Sequence, residues 1–229
     1  MAAGAVAAIA GFGIGSLLTP LLALKTGIGL AVAGVAIAHF CGTSLRFLIL
    51  HRFLNRQVFI RFGLASAAGG LIGALLHNHF QNAVLTIIFG GLLILAALLE
   101  LTGLSSRISL KGPAVWLEGI LSGLFGGLVG NQGGIRSAAL LEFGLSRNQF
   151  VATATATALV VDIVRLPVYL ASQWSAIASI WPWISIATVA VVAGTLGGTR
   201  LLPKTPERVF KKAVALVILG VGILILVGL

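Results

Sequence analysis

The sequence predicts an all-α polytopic membrane protein: a single transmembrane domain over 1–229, built of two inverted repeats. Three observations lead to this fold class. First, 59% of the residues are hydrophobic and only 9% are charged, whereas soluble domains carry about 25% charged residues. Second, the apolar stretches are continuous and lack the alternation typical of membrane β-barrels. Third, two regions consist of half-length apolar segments split by glycines. The composition therefore excludes a soluble enzyme and a disordered chain.

Six stretches are long enough, or nearly long enough, to cross a bilayer, which requires about 20 apolar residues in a helix. The shortest of them, Phe62–His77, needs additional length from its flanks. The predicted spans are Ile28–Leu50, Phe62–His77, Ala83–Leu101, Phe150–Ala171, Ala176–Gly198 and Val209–Leu229.

Glycine clusters split the two remaining apolar regions. Ala2–Leu24 is interrupted by GFGIGS at 11–16, and Pro113–Phe143 by GLVGNQGG at 127–134. Because glycine costs about 1 kcal/mol in a helix interior, these clusters predict helix breaks. Each region is either an ordinary helix with a glycine-rich packing face or a re-entrant hairpin that returns to the side it entered from. The sequence favours the hairpin for the second region and leaves the first open.

The basic residues support a re-entrant second region. They concentrate in loops at 51–61, 102–113 and 200–212, and cytoplasmic loops are enriched in Lys and Arg. All three loops lie on one side only if Pro113–Phe143 re-enters. That side then holds 11 of the 15 basic residues, counting Arg147. We therefore predict cytoplasmic basic loops and a bacterial plasma (inner) membrane location. The net charge of +10 then requires no nucleic-acid partner.

A weak internal repeat relates the two halves of the chain. GFGIGSLLTPLLALKTG at 11–27 resembles VGNQGGIRSAALLEFG at 129–144. Further along the chain, SLRFLILHR at 44–52 aligns with IVRLPVYLA at 163–171, so that Arg46 corresponds to Arg165.

The repeats cover about 1–105 and 113–229, each a glycine-broken hairpin followed by three transmembrane helices. Three crossings are an odd number, so the second repeat is inverted relative to the first. Inverted repeats whose broken helices meet near the midplane recur among transporters.

The residues that enzymes and metal sites require are scarce. The chain has five acidic residues and one cysteine, Cys41, and its four histidines form no HExxH motif. Phosphate-binding and hydrolase motifs are absent. Cys41 near His39, or Ser16 near a histidine, are the only nucleophile–base pairs available. We therefore predict no enzyme activity, no cofactor and no metal.

Ionisable residues inside apolar segments are costly, so they mark the candidate site. Alternatives remain: Arg46 snorkelling to the headgroups, Asp162 and Arg165 forming a structural ion pair, and His39 packing through a hydrogen bond. Broken helices also present N–H groups and a partial positive charge. The predicted substrate-binding residues are Gly13, Gly15, Ser16, Thr19, His39, Thr43, Arg46, Asn131, Gln132, Gly133, Gly134, Arg136, Ser137, Asp162 and Arg165.

The charge of these residues predicts the ligand class. Arg46, Arg136 and Arg165 against Asp162 give a net charge of +2 if all four line one cavity. This favours a small anion over a cation. His39 is a candidate for proton coupling, because imidazole titrates near neutral pH. The lipid bilayer is the other predicted partner, and the oligomeric state is left open.

The chain resembles the TauE/SafE-type sulfite exporter family, also called TSUP. The resemblance covers nearly the whole chain and rests on three segments: GFGIGSLLTPLLALKTG at 11–27, HFCGTSLRFLILHRFLNRQVFIRFG at 39–63, and the long segment at 121–170 that includes FGLSRNQFVAT. It implies a secondary transporter of a small sulfur-containing anion such as sulfite, thiosulfate or an organosulfonate. A passive anion channel of the same architecture and a non-transporting membrane scaffold are the alternatives.

Overall fold

The computed structural model describes residues 14–80, 82–103, 114–131, 133–141, 143–201 and 207–227. All regular structure in these ranges is helical, which confirms the predicted all-α class. The helices are α1 (Ile14–Thr26), α2 (Ile28–Leu50), α3 (Arg56–His77), α4 (Asn82–Thr102), α5 (Ala114–Val129), α6 (Gly133–Leu141), α7 (Arg147–Ser179), α8 (Trp181–Leu201) and α9 (Glu207–Val227).

Four of the described helices are long and apolar enough to cross a membrane. They lie in Ile28–Phe53, Arg56–His77, Asn82–Leu99 and Arg147–Ser179, and shorter apolar helices accompany them. Many large apolar side chains on the outside of the bundle are exposed, as a lipid-facing surface requires. The chain is therefore an integral membrane protein.

The start of α3 supplies the length that the predicted span Phe62–His77 lacks. The Asn55 side chain accepts a hydrogen bond from the Val58 amide at 3.1 Å and caps the new helix start. The helix then passes through a π-helical turn at Phe59–Gly63. The result is a 22-residue helix from Arg56 to His77, long enough to span a bilayer.

Helix α7 is longer than its predicted span Phe150–Ala171. A capping box between Ser146 and Gln149 starts it at Arg147, and this pairing satisfies otherwise unpaired amides of the first turn. The backbone leaves helical geometry at Gln173 (φ −132°, ψ 21°), close to where the predicted span ends. Helix α8 accordingly begins at Trp181 rather than at the predicted Ala176.

Glycines allow α3 and α5 to pack backbone against backbone. Gly119, Gly123 and Gly127 recur every fourth residue along α5 and face the backbone of α3, and Gly69 and Gly73 of α3 face the backbone of α5. A methyl group at any of these positions would lie under 3 Å from atoms of the opposite helix. Small residues at four-residue spacing are how membrane helices achieve such close approach.

The contacts also fix the relative direction of these two helices. Gly123 lies beside the Gly70 amide, and Gly127, one turn later, lies beside the Ala74 amide. Positions along both helices increase together, so α5 runs parallel to α3. The end of α5 is thereby brought to the level of His77, the last residue of α3.

Helix α2 lies at the centre of the bundle and contacts α1, α7 and α8 along its length. Its His39 meets Asp162 of α7, and Asn55 just beyond its end meets Thr153 earlier in α7. The two helices are therefore antiparallel. At the periphery α4 packs on α9, where a methyl group on either Gly90 or Gly222 would come within 3.3 Å of the carbonyl oxygen of the other.

We expect Gly123→Ala to destabilise the protein, because its new methyl group would lie 2.8 Å from the Gly70 amide nitrogen and against the Ser66 carbonyl. Overpacking of this kind costs about 1–3 kcal/mol. The matched control is Gly91→Ala in α4, where a methyl group meets nothing within 4 Å and helix propensity favours alanine by up to about 1 kcal/mol. Thermal unfolding in detergent measures both. Equal melting temperatures for the two variants would contradict the packing.

Candidate functional site

The second glycine cluster produces the predicted helix break. Helix α5 ends at Val129, and α6 begins at Gly133. Between them Gly130 adopts a φ of +74°, a left-handed conformation that glycine reaches without steric cost. The Gly130 amide donates to the Gly126 carbonyl at 3.1 Å, which closes the last turn of α5.

Three side chains bind consecutive carbonyls at the end of α5. Arg165 Nη1 donates to the Gly126 carbonyl at 2.5 Å, the Tyr169 hydroxyl donates to the Gly127 carbonyl, and His77 Nδ1 lies 2.6 Å from the Leu128 carbonyl. The Gly126 carbonyl also accepts from the Gly130 amide, whereas the last carbonyls of a helix generally lack partners within it, and cationic side chains complement its negative end. The break is therefore held by α3 and α7.

The first glycine cluster meets the second. The Ser16 hydroxyl donates to Asn131 Oδ1 at 3.2 Å. A methyl group at Gly15 would collide with the Gly130 carbonyl, and Thr19 lies beside the same glycine. Polar residues from the two glycine clusters, far apart in the sequence, therefore lie together.

Asp162 organises a buried polar network next to this junction. His39 Nδ1 lies 2.6 Å from Asp162 Oδ2, and Arg165 donates to Oδ1 from Nε at 3.0 Å and Nη2 at 2.7 Å. The Thr43 hydroxyl donates to the His39 carbonyl at 2.6 Å. The predicted Asp162–Arg165 ion pair thus forms, and His39 joins it.

Arg46 and Arg136 complete what we call the arginine cluster: His39, Arg46, Arg136, Asp162 and Arg165. Arg46 is 2% exposed and Arg136 is 1% exposed, so neither lies along the lipid-facing surface. The charge of Arg136 interacts with those of Arg46, Asp162 and Arg165. The cluster therefore brings three guanidinium groups and one carboxylate together inside the bundle.

The remaining predicted site residues divide into two groups. Gly133 and Gly134 form the first turn of α6, and Ser137 follows one turn later. Gly13 and Gln132 lie outside the described residues. The structure thus brings Gly15, Ser16, Thr19 and Asn131 to the junction of the glycine clusters, and Thr43 to the arginine cluster.

Sequence reasoning omitted His77 and Tyr169 from the site. Tyr169 follows Arg165 by one helical turn, so its spacing was a usable signal. His77 gave no such signal, because its role depends on the pairing of α3 with α5. Within the described ranges, no group of three or more His, Cys, Asp or Glu side chains is arranged to hold a metal ion.

The fold and the site together define a polytopic membrane protein with a helix break and a buried, arginine-rich centre. A family model described as Sulfite exporter TauE/SafE matches residues 1–225. The chain therefore belongs to the TauE/SafE sulfite exporter family, a family of transporters, which confirms the resemblance read from its motifs. No curated protein and no solved structure matches the chain.

We expect Asp162→Asn to destabilise the protein strongly, because the variant leaves Arg165 and His39 without the carboxylate that both contact. Removing one partner of a buried ion pair costs about 3–5 kcal/mol. Thermal unfolding in detergent is the measurement. Asn78→Ala serves as the control, since it removes only the exposed Asn78–Gln173 hydrogen bond. A melting temperature unchanged from wild type in Asp162→Asn would contradict the structural role of this network.

Proposed function

We propose that the chain is a secondary transporter of a small sulfur-containing anion such as sulfite, thiosulfate or an organosulfonate. The observation that carries the proposal is the arginine cluster. Its carboxylate, Asp162, is bound on both oxygens by His39 and Arg165, while Arg46 and Arg136 add two further buried positive groups. A small oxyanion matches the hydrogen-bonding geometry of guanidinium groups. The family's description as a sulfite exporter supports the sulfur-containing class.

The break supplies a second set of anion-binding groups. Helix α6 begins at Gly133 and carries Arg136 in its first turn. Its leading N–H groups and partial positive charge favour an anion at that end. Ser16 and Asn131, joined at 3.2 Å, line the same junction from both halves. We assign anion binding to this junction together with Arg136 and Arg46.

Arg165 has a supporting role in this proposal. Its Nε and Nη2 bind Asp162 and its Nη1 binds the Gly126 carbonyl, so the guanidinium joins the network to the break. A guanidinium presents five N–H donors in a fixed fork, and all three of its nitrogens are engaged here. We therefore assign it to positioning the break, while Arg46 and Arg136 attract the anion.

Mirrored contacts support two inverted repeats. Helix α8 packs on α2, and α3 packs on α7 in the corresponding way. In the first pair a methyl group at Gly42 would collide with Val191; in the second, one at Gly70 would lie 2.8 Å from Val161. When Arg46 is aligned with Arg165, Gly42 corresponds to Val161. In each pair of helices a glycine packs on a valine, but the glycine lies on α2 in the first pair and the valine lies on α7 in the second. The antiparallel α2 and α7 agree with inversion.

The inverted arrangement implies the membrane topology that we propose. Both glycine-broken regions would re-enter from opposite sides and meet in the middle, and the basic loops would face the cytoplasm of a bacterial cell. His39, whose Nδ1 contacts Asp162, remains the proposed proton-coupling residue within the arginine cluster.

Anion binding predicts a measurable gain in stability. We expect the purified protein to melt at a higher temperature with sulfite, thiosulfate or a sulfonate than with sulfate or carboxylates at equal ionic strength. A ligand that binds only the native state at 100 times its dissociation constant adds about 2.7 kcal/mol. No stabilisation by any member of the panel would contradict the anion site.

Neutralising Arg136 should strongly reduce anion flux while the protein still folds, because Arg136 is buried in the first turn after the break. We expect Arg136→Gln to reduce uptake of the stabilising anion into proteoliposomes by at least about tenfold, the factor that corresponds to 1.4 kcal/mol. Arg52→Gln is the matched control, since Arg52 is exposed in a basic loop. Unchanged flux in Arg136→Gln would contradict the site.

The same assay separates the alternatives. Uptake that a proton gradient drives against the anion gradient is the result expected of a secondary transporter. Flux that only follows the anion gradient would indicate a passive channel. Wild-type protein without any flux would indicate a scaffold.

A further inference from the structure

His77 lies between two backbone carbonyl oxygens, each within hydrogen-bond distance of one of its ring nitrogens. The side chain is 2% exposed. Its Nδ1 is 2.6 Å from the Leu128 oxygen, and its Nε2 is 3.1 Å from the Gly29 oxygen. A carbonyl oxygen can only accept a hydrogen bond, and a neutral imidazole carries one N–H. Both contacts are hydrogen bonds only when the ring holds two protons.

Burial of the ring opposes a positive charge, whereas the two carbonyl acceptors on opposite sides of the ring favour one. Leu128 is in the last turn of α5, where the helix dipole is negative. The Tyr169 ring lies 5.1 Å away, centroid to centroid. The charged and titratable groups of α7 that face His77 are Arg165 and Tyr169; the charge of Arg165 opposes a second cation, but its guanidinium is bound to Asp162.

The other elements around the ring contribute backbone and amide groups. From α2 the ring meets the Gly29 carbonyl, and from α5 the Leu128 carbonyl. At the start of α4, Asn82 accepts from the Gly29 amide at 3.0 Å, which fixes that turn of α2 beside the ring.

His77 and His39 differ in the proton state that their contacts require. The contact of His39 Nδ1 with Asp162 needs one N–H, which a neutral ring provides. The two carbonyls at His77 need an N–H on each nitrogen. Of these two buried histidines, His77 is therefore the one whose observed geometry requires an additional proton.

We propose that His77 is a proton-binding site that clamps the helix break to the other half of the protein. Gly29 belongs to the first turn of α2 and Leu128 to the end of α5, so the protonated ring joins the two halves. Loss of one proton leaves a nitrogen lone pair facing a carbonyl oxygen, and that contact opens. Arg165 and Tyr169 bind the two preceding carbonyls, so opening is transmitted toward the arginine cluster. This last step rests on the proposed anion site.

The proton state of the ring can be measured directly. We expect ¹⁵N spectra of histidine-labelled protein at pH 7.5 to show one ring with both nitrogens protonated, and His77→Gln to remove its signals. His79→Gln, an exposed histidine two residues later, is the matched control and should leave them in place. If His77→Gln fails to fold, the other single histidine variants identify the ring by difference. An unprotonated nitrogen on the His77 ring at that pH would overturn the proposal.

Stability against pH provides a second readout. The native state holds a proton that a histidine in the unfolded chain releases near pH 6.5, so wild type should lose stability as the pH rises above that value. We expect His77→Gln to flatten this dependence and His79→Gln to retain it. Identical pH dependence in wild type and His77→Gln would overturn the clamp.

The link to the anion site is tested separately. With the panel anion that most stabilises wild type, His77→Gln should keep the stabilisation but lose its variation with pH. If anion stabilisation of His77→Gln varies with pH as it does in wild type, the link is refuted. If no anion of the panel raises the melting temperature but His77 is doubly protonated, the proposed function is refuted and the proton-binding site is retained.

Discussion

The hydrogen-bonding requirement of a broken helix is the constraint on which this structure depends. A helix that stops inside a membrane protein exposes carbonyl groups that neither lipid nor the helix can satisfy. Here the Gly127 and Leu128 carbonyls are contacted by Tyr169 and His77, and the Gly126 carbonyl, which also accepts from the Gly130 amide, receives Arg165. The same side chains connect the break to its surroundings, so satisfying the backbone also builds the site.

Each of these donors depends on a particular packing arrangement. His77 reaches the break because α3 and α5 run parallel with their glycine faces in contact, which places the two helix ends at one level. Arg165 and Tyr169 reach it from successive turns of α7. Asp162, one turn before Arg165, binds that arginine and His39 together. Glycine packing, the helix break and the polar centre thus depend on one another.

Sequence reasoning recovered the parts of this arrangement that depend on local chemistry. The glycine cluster predicted the break because glycine disfavours a helix wherever it lies, and the buried arginines stood out because charges in apolar segments are costly. The π-helical start of α3, the kink at Gln173 and the role of His77 were missed. Each of these is set by a cap or by contacts with another helix, which hydropathy does not encode.

The sequence by itself determined that this is a helical membrane protein of the TauE/SafE family with basic loops, a glycine-broken helix and an excess of arginine over acid in its interior. These follow from composition, motifs and the cost of placing charge or glycine in apolar helices. Only the tertiary structure decided that Arg165 supports the break, that Ser16 meets Asn131, and that His77 faces two carbonyls. Those outcomes depend on which helices pack together, because a donor and its acceptor must come within about 3 Å.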